Sequence, residues 1–408
     1  MPEEIVELRG HLIDSLVLPK VLDAIRSHKG CFEIQRMDVG IRPRDPSFAR
    51  LLVAHDDEHQ MELMLQHIAR YGADPVERHE VEWKRADRNG VFPEGFCSTT
   101  NLDTWVYLGG RWRKVKYPEM DSGILLLPDG RSARTIKMFE VRKGDPIVVG
   151  RKGVRVSAVE SYRPAGEFGF MGSEISMEKP KGLLIKALAG QMKEERKNRR
   201  PILWVCGPAV VHSGGSNLFV KLIKAGYVQI LFAGNALAAH DIESALMGTS
   251  LGVSIHEGAV TRGGHENHLR AINSIRAAGS IRKAVNTGLL QSGIMHACVT
   301  QGVDVVLAGS IRDDGPLPDV ITDAVAAQTA MRRRCSRGKG VELAIMMATL
   351  LHSVATGNML PARTRVVCVD IQPANVTKLM DRGTFQSVGI VTDVQPFLHE
   401  LVTEMGIR

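Results

Sequence analysis

Residues 202–234 read ILWVCGPAVVHSGGSNLFVKLIKAGYVQILFAG, and this stretch decides the fold of the C-terminal half. Two short apolar runs, 202–207 and 228–234, enclose a Gly-rich turn and a longer helical stretch. A strand that is buried on both faces has such a continuous apolar run, and two parallel strands need a crossover between them. The stretch therefore predicts one strand-helix-strand unit of a parallel sheet.

Further apolar runs of the same kind follow along the chain and are separated by helical stretches. They are VDVVLAG (303–309), RVVCVD (365–370), VGIVT (388–392) and, less clearly, LGVSI (251–255). This alternation is typical of a doubly wound sheet, so we assign residues 181–408 to a Rossmann-like domain of the α/β class. Met346 and Met347 are interpreted as core positions of one of its helices.

The first 84 residues follow a different pattern, in which the predicted order is strand, helix, strand, strand, helix, strand. The corresponding ranges are 5–12, 16–26, 31–40, 49–55, 57–71 and 76–83. This order predicts a ferredoxin-like α+β subdomain over residues 1–84. Residues 85–180 contain short apolar runs with frequent Gly and Pro, which predict a small β-rich subdomain that contributes to the substrate site.

The composition is that of an ordinary globular protein, and it disfavours several classes of function. The net charge of +7 comes from basic residues spread among acidic ones, which argues against nucleic acid as a partner. No apolar segment approaches the roughly 20 residues of a membrane helix, and the six cysteines lack paired spacing. We therefore expect a cytoplasmic protein without a membrane partner. His55 and His59 are interpreted as a helix start, and no metal site is predicted.

Small and polar residues follow the predicted parallel strands, at the points where such sheets bind ligands. The candidate cofactor-binding residues are Asn235, Ala236, Asp314, Thr356, Gly357, Asn358, Met359, Asp370, Asp393 and Val394. Residues 356–359 are expected to form a loop before the strand at 365–370. For each position, turn chemistry or a helix cap is the alternative interpretation. Because a carboxylate at a strand end accepts ribose hydroxyls and disfavours a 2′-phosphate, Asp370 predicts NAD rather than NADP.

Six longer motifs give the chain a family resemblance. They are EGFCSTTNLDT (94–104), EMDSGI (119–124), FMGSEISMEKP (170–180), FAGNALAAHDIE (232–243), LAGSIRDDGPLPDVITD (307–323) and VGIVTDVQPFL (388–398). Together they resemble the LOR/SDH-type family, which includes archaeal ornithine cyclodeaminases and the C-terminal half of a cyanobacterial bifunctional arginine dihydrolase and ornithine cyclodeaminase. The resemblance covers nearly the whole chain. It implies a C-terminal domain similar to the NAD-binding fold of deoxyhypusine synthase, and it does not imply arginine breakdown.

The resemblance implies conversion of L-ornithine to L-proline and ammonia, with transient oxidation by NAD. That chemistry needs an anchor for the substrate and groups that move protons during amine exchange. We interpret Asn101 and Thr100 as substrate anchors and Asp121 or Glu119 as the group for proton transfer. Lys179 is a candidate for binding the α-carboxylate or for acid/base work.

Two alternatives remain open from the sequence. One is another NAD-linked dehydrogenase of amino or imino acids, which would release NADH. The other is a non-catalytic sensor of ornithine or NAD. In each case a homodimer or homotetramer is expected, because most soluble oligomers are symmetric and relatives of this fold associate in this way.

Overall fold

The computed structural model describes most of the 408 residues. The described residues are 2–10, 12–13, 17–41, 45–69, 71–76, 79–156, 181–250, 253–254, 267–313, 315–336, 340–382 and 387–407. Within these ranges, no helix combines the length and the apolar character that crossing a bilayer demands.

The N-terminal elements follow the predicted order. They are β1 (Glu3–Gly10), α1 (Val17–Ser27), β2 (Cys31–Asp38), β3 (Ser47–Ala54), α2 (Glu58–Ala69) and β4 (Asp74–Pro75). The strands form a sheet in the order β2-β3-β1-β4. Helix α1 buries Leu18, Val21 and Ile25, which are spaced as on one helix face, in the apolar core of this sheet.

The prediction of a final strand at 76–83 is wrong. Strand β4 has only two residues, and it lies at the edge of the sheet, where Pro75 pairs with Val6. Proline has no N–H group to continue a ladder, so strands that contain it are confined to edges. Farther along, the N–H of Val81 donates to the carbonyl of Tyr107, which belongs to the next sheet.

The next sheet is mostly antiparallel. Its strands are β5 (Trp83–Arg85), β6 (Thr104–Leu108), β7 (Arg111–Lys116), β8 (Gly123–Leu126), β9 (Ala133–Ile136), β10 (Pro146–Val148) and β11 (Val154–Val156). Their order is β11-β6-β7-β9-β8-β10-β5. The register of β8 and β9 pairs Gly123 with Ile136, and this pairing places the residues that follow β9 beside those that precede β8.

The C-terminal part alternates strands and helices, as predicted. Its elements are α3 (Lys181–Lys197), β12 (Ile202–Cys206), α4 (Ala209–His212), α5 (Ser216–Lys224), β13 (Ile230–Gly234), α6 (Asn235–Met247), β14 (Thr249–Ser250), β15 (Val253–Ser254), α7 (Asn267–Ala278), α8 (Ile281–Asn286), α9 (Gly293–Gln301), β16 (Asp304–Ala308), α10 (Ala324–Cys335), β17 (Leu343–Met347), α11 (Leu350–Met359), β18 (Arg365–Asp370), α12 (Pro373–Arg382), β19 (Ser387–Val391) and α13 (Val394–Met405). The main sheet has the order β16-β13-β12-β17-β18-β19. Neighbouring strands in it are parallel throughout, so the prediction of a Rossmann-like sheet is confirmed.

The interpretation of Met346 and Met347 as helix positions is wrong, because both lie on β17 in the middle of the sheet. All residues of β17 are buried, and an apolar run without period does not distinguish a buried strand from a buried helix. The weak strand at LGVSI also differs from the prediction. Its described part, β15, pairs with β14 in a separate antiparallel hairpin.

The chain divides into two compact units. One comprises Met1–Phe170 with Asn358–Arg363, and the other comprises Met171–Gly357 with Thr364–Arg408. The first unit contains the four-stranded and seven-stranded sheets, and the second contains the parallel sheet. The chain passes from the second unit to the first within α11, between Gly357 and Asn358.

Asp241, on the buried face of α6, caps helix α9. Its carboxylate oxygens accept hydrogen bonds from the backbone N–H groups of Ile294 (2.7 Å) and Met295 (2.8 Å). These N–H groups belong to the first turn of α9, where no intrahelical acceptor is available. A Cβ at Gly293 would lie 2.8 Å from Oδ2 of Asp241, so glycine is needed there. Burial raises the pKa of Asp241 to about 6.

We expect Asp241→Ala to lower the free energy of unfolding by roughly 2–4 kcal/mol, because two buried N–H donors lose their acceptor. The folded protein holds the Asp241 proton more tightly than the unfolded chain does. The contribution of this carboxyl to stability therefore falls as the pH rises from its ordinary pKa of 3.8 to about 6. Urea denaturation at acidic and neutral pH measures both effects. Asp241→Asn, which does not titrate, should lose this part of the pH dependence, and a wild-type midpoint for Asp241→Ala would contradict the capping role.

Candidate active site

The carboxyl ends of the parallel strands form one edge of the main sheet, which we call the carboxyl edge. Three predicted cofactor residues lie there. Asn235 directly follows β13, Asp370 is the last residue of β18, and Asp393 comes two residues after β19. Ala236 and Val394 are the next residues along α6 and α13. The structure therefore brings these five residues to the same edge, as parallel strands require.

A topological switch point lies between β12 and β17. From β12 the chain continues through β13 to β16 on one side, and it returns through β17 to β18 and β19 on the other. In sheets of this order, the crevice at the carboxyl ends of the two middle strands is where ligands bind. The switch point is therefore the expected position of a ligand on the carboxyl edge.

The backbones at the switch point lie very close together. A Cβ at Gly207, which follows β12, would lie 1.9 Å from the carbonyl oxygen of Ala348, which follows β17. Only glycine fits at position 207. Ala348 has a φ of 49°, a left-handed conformation that is uncommon for a residue with a side chain. Its N–H donates to the carbonyl of Val369 (3.0 Å), and this strained turn directs the chain into α11.

Helix α6 begins at the carboxyl edge with open donors. Its N-cap is Gly234, which has no side chain to bond the first N–H groups of the helix. The side-chain oxygen of Asn235 accepts a hydrogen bond from the N–H of Leu317 (3.0 Å) and so fixes the loop after β16. The amide N–H₂ group of Asn235 has no hydrogen-bond partner among the described residues. This helix start can therefore donate hydrogen bonds to a ligand.

Asp370 and Asp393 have different surroundings. Asp370 is buried, and one of its carboxylate oxygens accepts hydrogen bonds from the N–H of Gln372 (2.8 Å) and the side-chain amide of Asn375 (3.3 Å). Its other oxygen has no hydrogen-bond partner within the described part of the chain. Asp393 is the N-cap of α13 and accepts a hydrogen bond from the N–H of Val394 (2.6 Å). The helix-cap alternative therefore applies to Asp393, whereas one carboxylate oxygen of Asp370 accepts no hydrogen bond from the described residues.

The expectation of a loop at residues 356–359 is wrong, because these residues form the last turn of α11. Thr356 is fully buried, and so is Ser353 one turn earlier. Neither hydroxyl has a hydrogen-bond partner among the described residues. A buried hydroxyl without a partner costs about 1–3 kcal/mol, so two of them on one helix face favour a binding role over simple packing. Asp314 and Lys179 lie outside the described residues.

A second polar group of residues lies in the first unit and is built on the turn 119–122. Thr99 holds this turn, since its hydroxyl donates to the carbonyls of Glu119 (2.8 Å) and Ser122 (3.2 Å). The carbonyl of Thr99 accepts the N–H of Asp121 (3.3 Å). The N–H of Met120 donates to the carbonyl of Asn358 (3.0 Å). The backbone of the turn is therefore fixed on several sides.

Lys137 holds the same turn from β9, which it directly follows. Its ammonium lies 3.5 Å from the carboxylate of Glu119 and donates to the carbonyls of Met120 and Asp121. Glu119 is buried, with a relative exposure of 3%. Asp121, in contrast, is exposed and has a φ of 55°. The turn thus presents one buried and one exposed carboxylate on a strained, fixed backbone.

The predicted substrate anchors adjoin this turn through Thr99. Asn101 is buried at 4% exposure, its carbonyl accepts the N–H of Ala362 (2.8 Å), and its side-chain N–H₂ group has no partner within the described residues. Thr100 accepts the N–H of Leu102 (3.2 Å) in a local turn. Cys97 is also buried, and burial raises the pKa of its thiol, which makes it a poor nucleophile.

Sequence reasoning missed Lys137 and His352 as candidates. Lys137 reaches the turn 119–122 only because β8 pairs with β9, a contact that no local pattern shows. His352 lies in the first turn of α11, near the switch point. Residues four apart lie on the same face of a helix, so His352 shares a face with the candidate residue Thr356. This relation could have identified His352 if residues 356–359 had been interpreted as helical. Within the described ranges, no group of three or more His, Cys, Asp or Glu side chains could hold a metal ion.

Comparison with known sequence families gives three matches. Residues 186–401 match the C-terminal Rossmann fold of the arginine dihydrolase ArgZ-like family. Residues 3–102 match the LOR/SDH bifunctional enzyme conserved region, and residues 103–185 match the first region of the ArgZ-like C-terminal part. The matches extend over nearly the whole chain.

Individual proteins of these families are also similar to this chain. The ornithine cyclodeaminase of Methanopyrus kandleri is 51% identical over 404 residues, which cover 99% of this chain and 97% of that protein. The crystal structure of a LOR/SDH protein from Methanococcus maripaludis is 46% identical, with a TM-score of 0.73, and covers 81% of this chain and 98% of that one. AgrE in ternary complex with ornithine and NAD⁺ is 36% identical, with a TM-score of 0.54, and covers 99% of this chain and 57% of that one. The chain therefore belongs to the LOR/SDH-type family that includes the archaeal ornithine cyclodeaminases and the C-terminal part of the ArgZ-like proteins.

Proposed function

We propose that this protein is an ornithine cyclodeaminase, which converts L-ornithine to L-proline and ammonia with NAD as its cofactor. The observation that carries the proposal is full-length similarity to curated ornithine cyclodeaminases, at 51% identity in one of them. The ternary complex of AgrE with ornithine and NAD⁺ supports the same pair of ligands. A role in proline biosynthesis in the cytoplasm, as a homodimer or homotetramer, is part of the proposal.

The residues at the carboxyl edge fit a dinucleotide. The uncapped start of α6 and the amide of Asn235 offer hydrogen-bond donors. The Asp370 oxygen that has no partner among the described residues offers an acceptor for ribose hydroxyls. The buried hydroxyl of Thr356 is without a partner among the described residues and offers a further hydrogen bond. NAD supplies reversible oxidation of the substrate α-carbon, and because the conversion is redox-neutral the cofactor is regenerated in every turnover.

The turn 119–122 and Asn101 would hold the amino acid. A buried carboxylate such as Glu119 is suited to accept a hydrogen bond from a substrate amine, and Asp121 on the same turn is the second candidate for proton transfer. The side-chain N–H₂ group of Asn101, which has no partner among the described residues, would donate to the substrate carboxylate. Thr100 would anchor the substrate beside it, and the role of Lys179 rests on the sequence alone.

The test is incubation of the purified protein with NAD and isotopically labelled L-ornithine. Nitrogen-15 in the α-amino group should appear in ammonia, and nitrogen-15 in the δ-amino group should appear in proline. Deuterium on the α-carbon should be retained in proline, because the α-carbon loses it to the cofactor and recovers it. Lysine and arginine serve as control substrates.

The outcomes separate the proposal from its alternatives. A dehydrogenase would accumulate NADH in proportion to ornithine consumed, whereas the cyclodeaminase shows no net change in NADH absorbance. A sensor would bind ornithine or NAD in calorimetry and form neither proline nor ammonia. Either result would overturn the proposed reaction.

A further inference from the structure

His352 reaches across the switch point to the far side of the carboxyl edge. It lies on α11, after β17, yet its Cε1 atom is 3.4 Å from the position that a Cβ at Gly234 would occupy. Gly234 is the last residue of β13, and strand β12, which Gly207 follows, lies between β13 and β17. Because Gly207 and Gly234 have no side chains, the imidazole can occupy the space above the strand ends.

The imidazole of His352 is polar and partly buried, and it makes no hydrogen bond to the described residues. Its ring nitrogens are not among the fully buried polar atoms, so they are accessible to a ligand. The side chains of Ser353 and Thr356 on the same helix are also unpaired within the described residues. The described part of the chain therefore leaves this imidazole open at the point where this fold binds its ligand.

Asp313 is the charged group that acts on this imidazole. It lies in the turn after β16, where its carboxylate accepts hydrogen bonds from the N–H (2.8 Å) and the hydroxyl (3.4 Å) of Ser310. Burial lowers the pKa of His352, and the negative charge of Asp313 opposes that decrease. Gly234, which the ring approaches across the switch point, carries no charge. The lowered pKa favours the neutral imidazole, which can accept a proton, and the negative charge of Asp313 favours the imidazolium.

We propose that His352 is the acid/base residue for amine exchange in the cyclisation, an inference that rests on the proposed function. The imidazole takes one proton from the α-ammonium group of ornithine before the α-carbon is oxidised by NAD. The δ-ammonium group loses one proton to solvent, and its nitrogen then forms a bond to the α-carbon. This nitrogen loses a second proton to solvent, the imidazolium returns its proton to the α-nitrogen, and the bond between the α-carbon and the α-nitrogen breaks as ammonia leaves. The α-carbon of the cyclic iminium then recovers its hydride from NADH, which gives proline. Asp313 is a positioning residue that stabilises the charged ring.

The test compares His352→Gln with the wild type and with His399→Gln, which changes an exposed histidine on α13. We expect His352→Gln to lower the rate of proline formation by about 100- to 1000-fold, in the range of general acid/base catalysis. The dissociation constant of NAD, measured by calorimetry, should change less than about threefold, because the role proposed is proton transfer rather than cofactor binding. His399→Gln should retain the wild-type rate, and added imidazole should restore part of the activity of His352→Gln.

The pH dependence of the rate in Asp313→Asn tests the proton-transfer role, because a purely structural role would leave it unchanged. Because the charge of Asp313 raises the pKa of His352, its removal should shift the acidic limb of the rate profile to lower pH. In the apoprotein, the Cε1 resonance of His352 is assigned as the histidine signal that is absent from His352→Gln. This resonance should titrate at lower pH in Asp313→Asn than in the wild type. This nuclear magnetic resonance titration does not depend on turnover.

The outcomes distinguish this inference from the proposed function. If the wild-type protein forms no proline, the proposed function and this inference both fail. If the wild type is active and His352→Gln keeps more than about a tenth of its rate, only the role of His352 is overturned. If the acidic limb of the pH-rate profile were at the same pH in Asp313→Asn as in the wild type, Asp313 would have no role in the mechanism.

Discussion

Lys137→Met is expected to reduce proline formation by about 100-fold, which corresponds to a loss of about 2.7 kcal/mol of transition-state stabilisation. The substitution removes the ammonium that lies 3.5 Å from the buried carboxylate of Glu119. It also removes the donor to the carbonyl of Met120. Removal of one partner of a buried ion pair leaves a charge with poorer compensation, so the carboxylate of Glu119 and the backbone of the turn 119–122 should lose their fixed positions. Steady-state kinetics with ornithine measure the effect.

Lys137→Arg is the matched control, because it keeps the positive charge at the same position. We expect it to recover at least a tenth of the wild-type rate, and NAD binding should be retained in both variants. Circular dichroism and thermal denaturation show whether Lys137→Met is folded. A folded Lys137→Met variant with wild-type kinetics would exclude Glu119 and its turn from the active site.

The parallel sheet could be predicted from the sequence because its strands are buried on both faces. ILWVC and RVVCVD combine β-branched and other apolar residues in short runs, and their positions agree with β12 and β18 within a residue. Strand β17, with the sequence LAIMM, has only one β-branched residue, so its pattern also suited a helix. One of the two middle strands of the sheet, β17, was therefore missed.

Only those residues of the candidate site whose positions follow from the order of strands and helices could be predicted from the sequence. Asn235 and Asp370 follow parallel strands, and any such residues meet at the carboxyl edge. Lys137 and His352 depend on strand pairing and on the path of α11, which a single sequence does not specify. Glu119 and Asp121 were identified by their motif, but their different burial depends on the surrounding hydrogen bonds.

Asp370→Asn is expected to weaken NAD binding by about 10- to 100-fold, because hydrogen bonds to a charged acceptor contribute about 1.5–3 kcal/mol. The amide keeps an oxygen that can accept the N–H of Gln372, so the turn after β18 should be preserved. Only the charge and one acceptor are lost. Calorimetry with NAD, in the absence of ornithine, measures the change directly.

The same variant should bind NADP less poorly relative to NAD, because the carboxylate that would repel a 2′-phosphate is gone. Asn375→Ala is the matched control, since it removes a side chain that bonds the carboxylate but keeps the negative charge. We expect its affinity for NAD to stay within about threefold of the wild type, in line with a neutral hydrogen bond of modest net strength. If Asp370→Asn bound both dinucleotides as the wild type does, the ribose would lie elsewhere on the carboxyl edge, and the preference for NAD would need another cause.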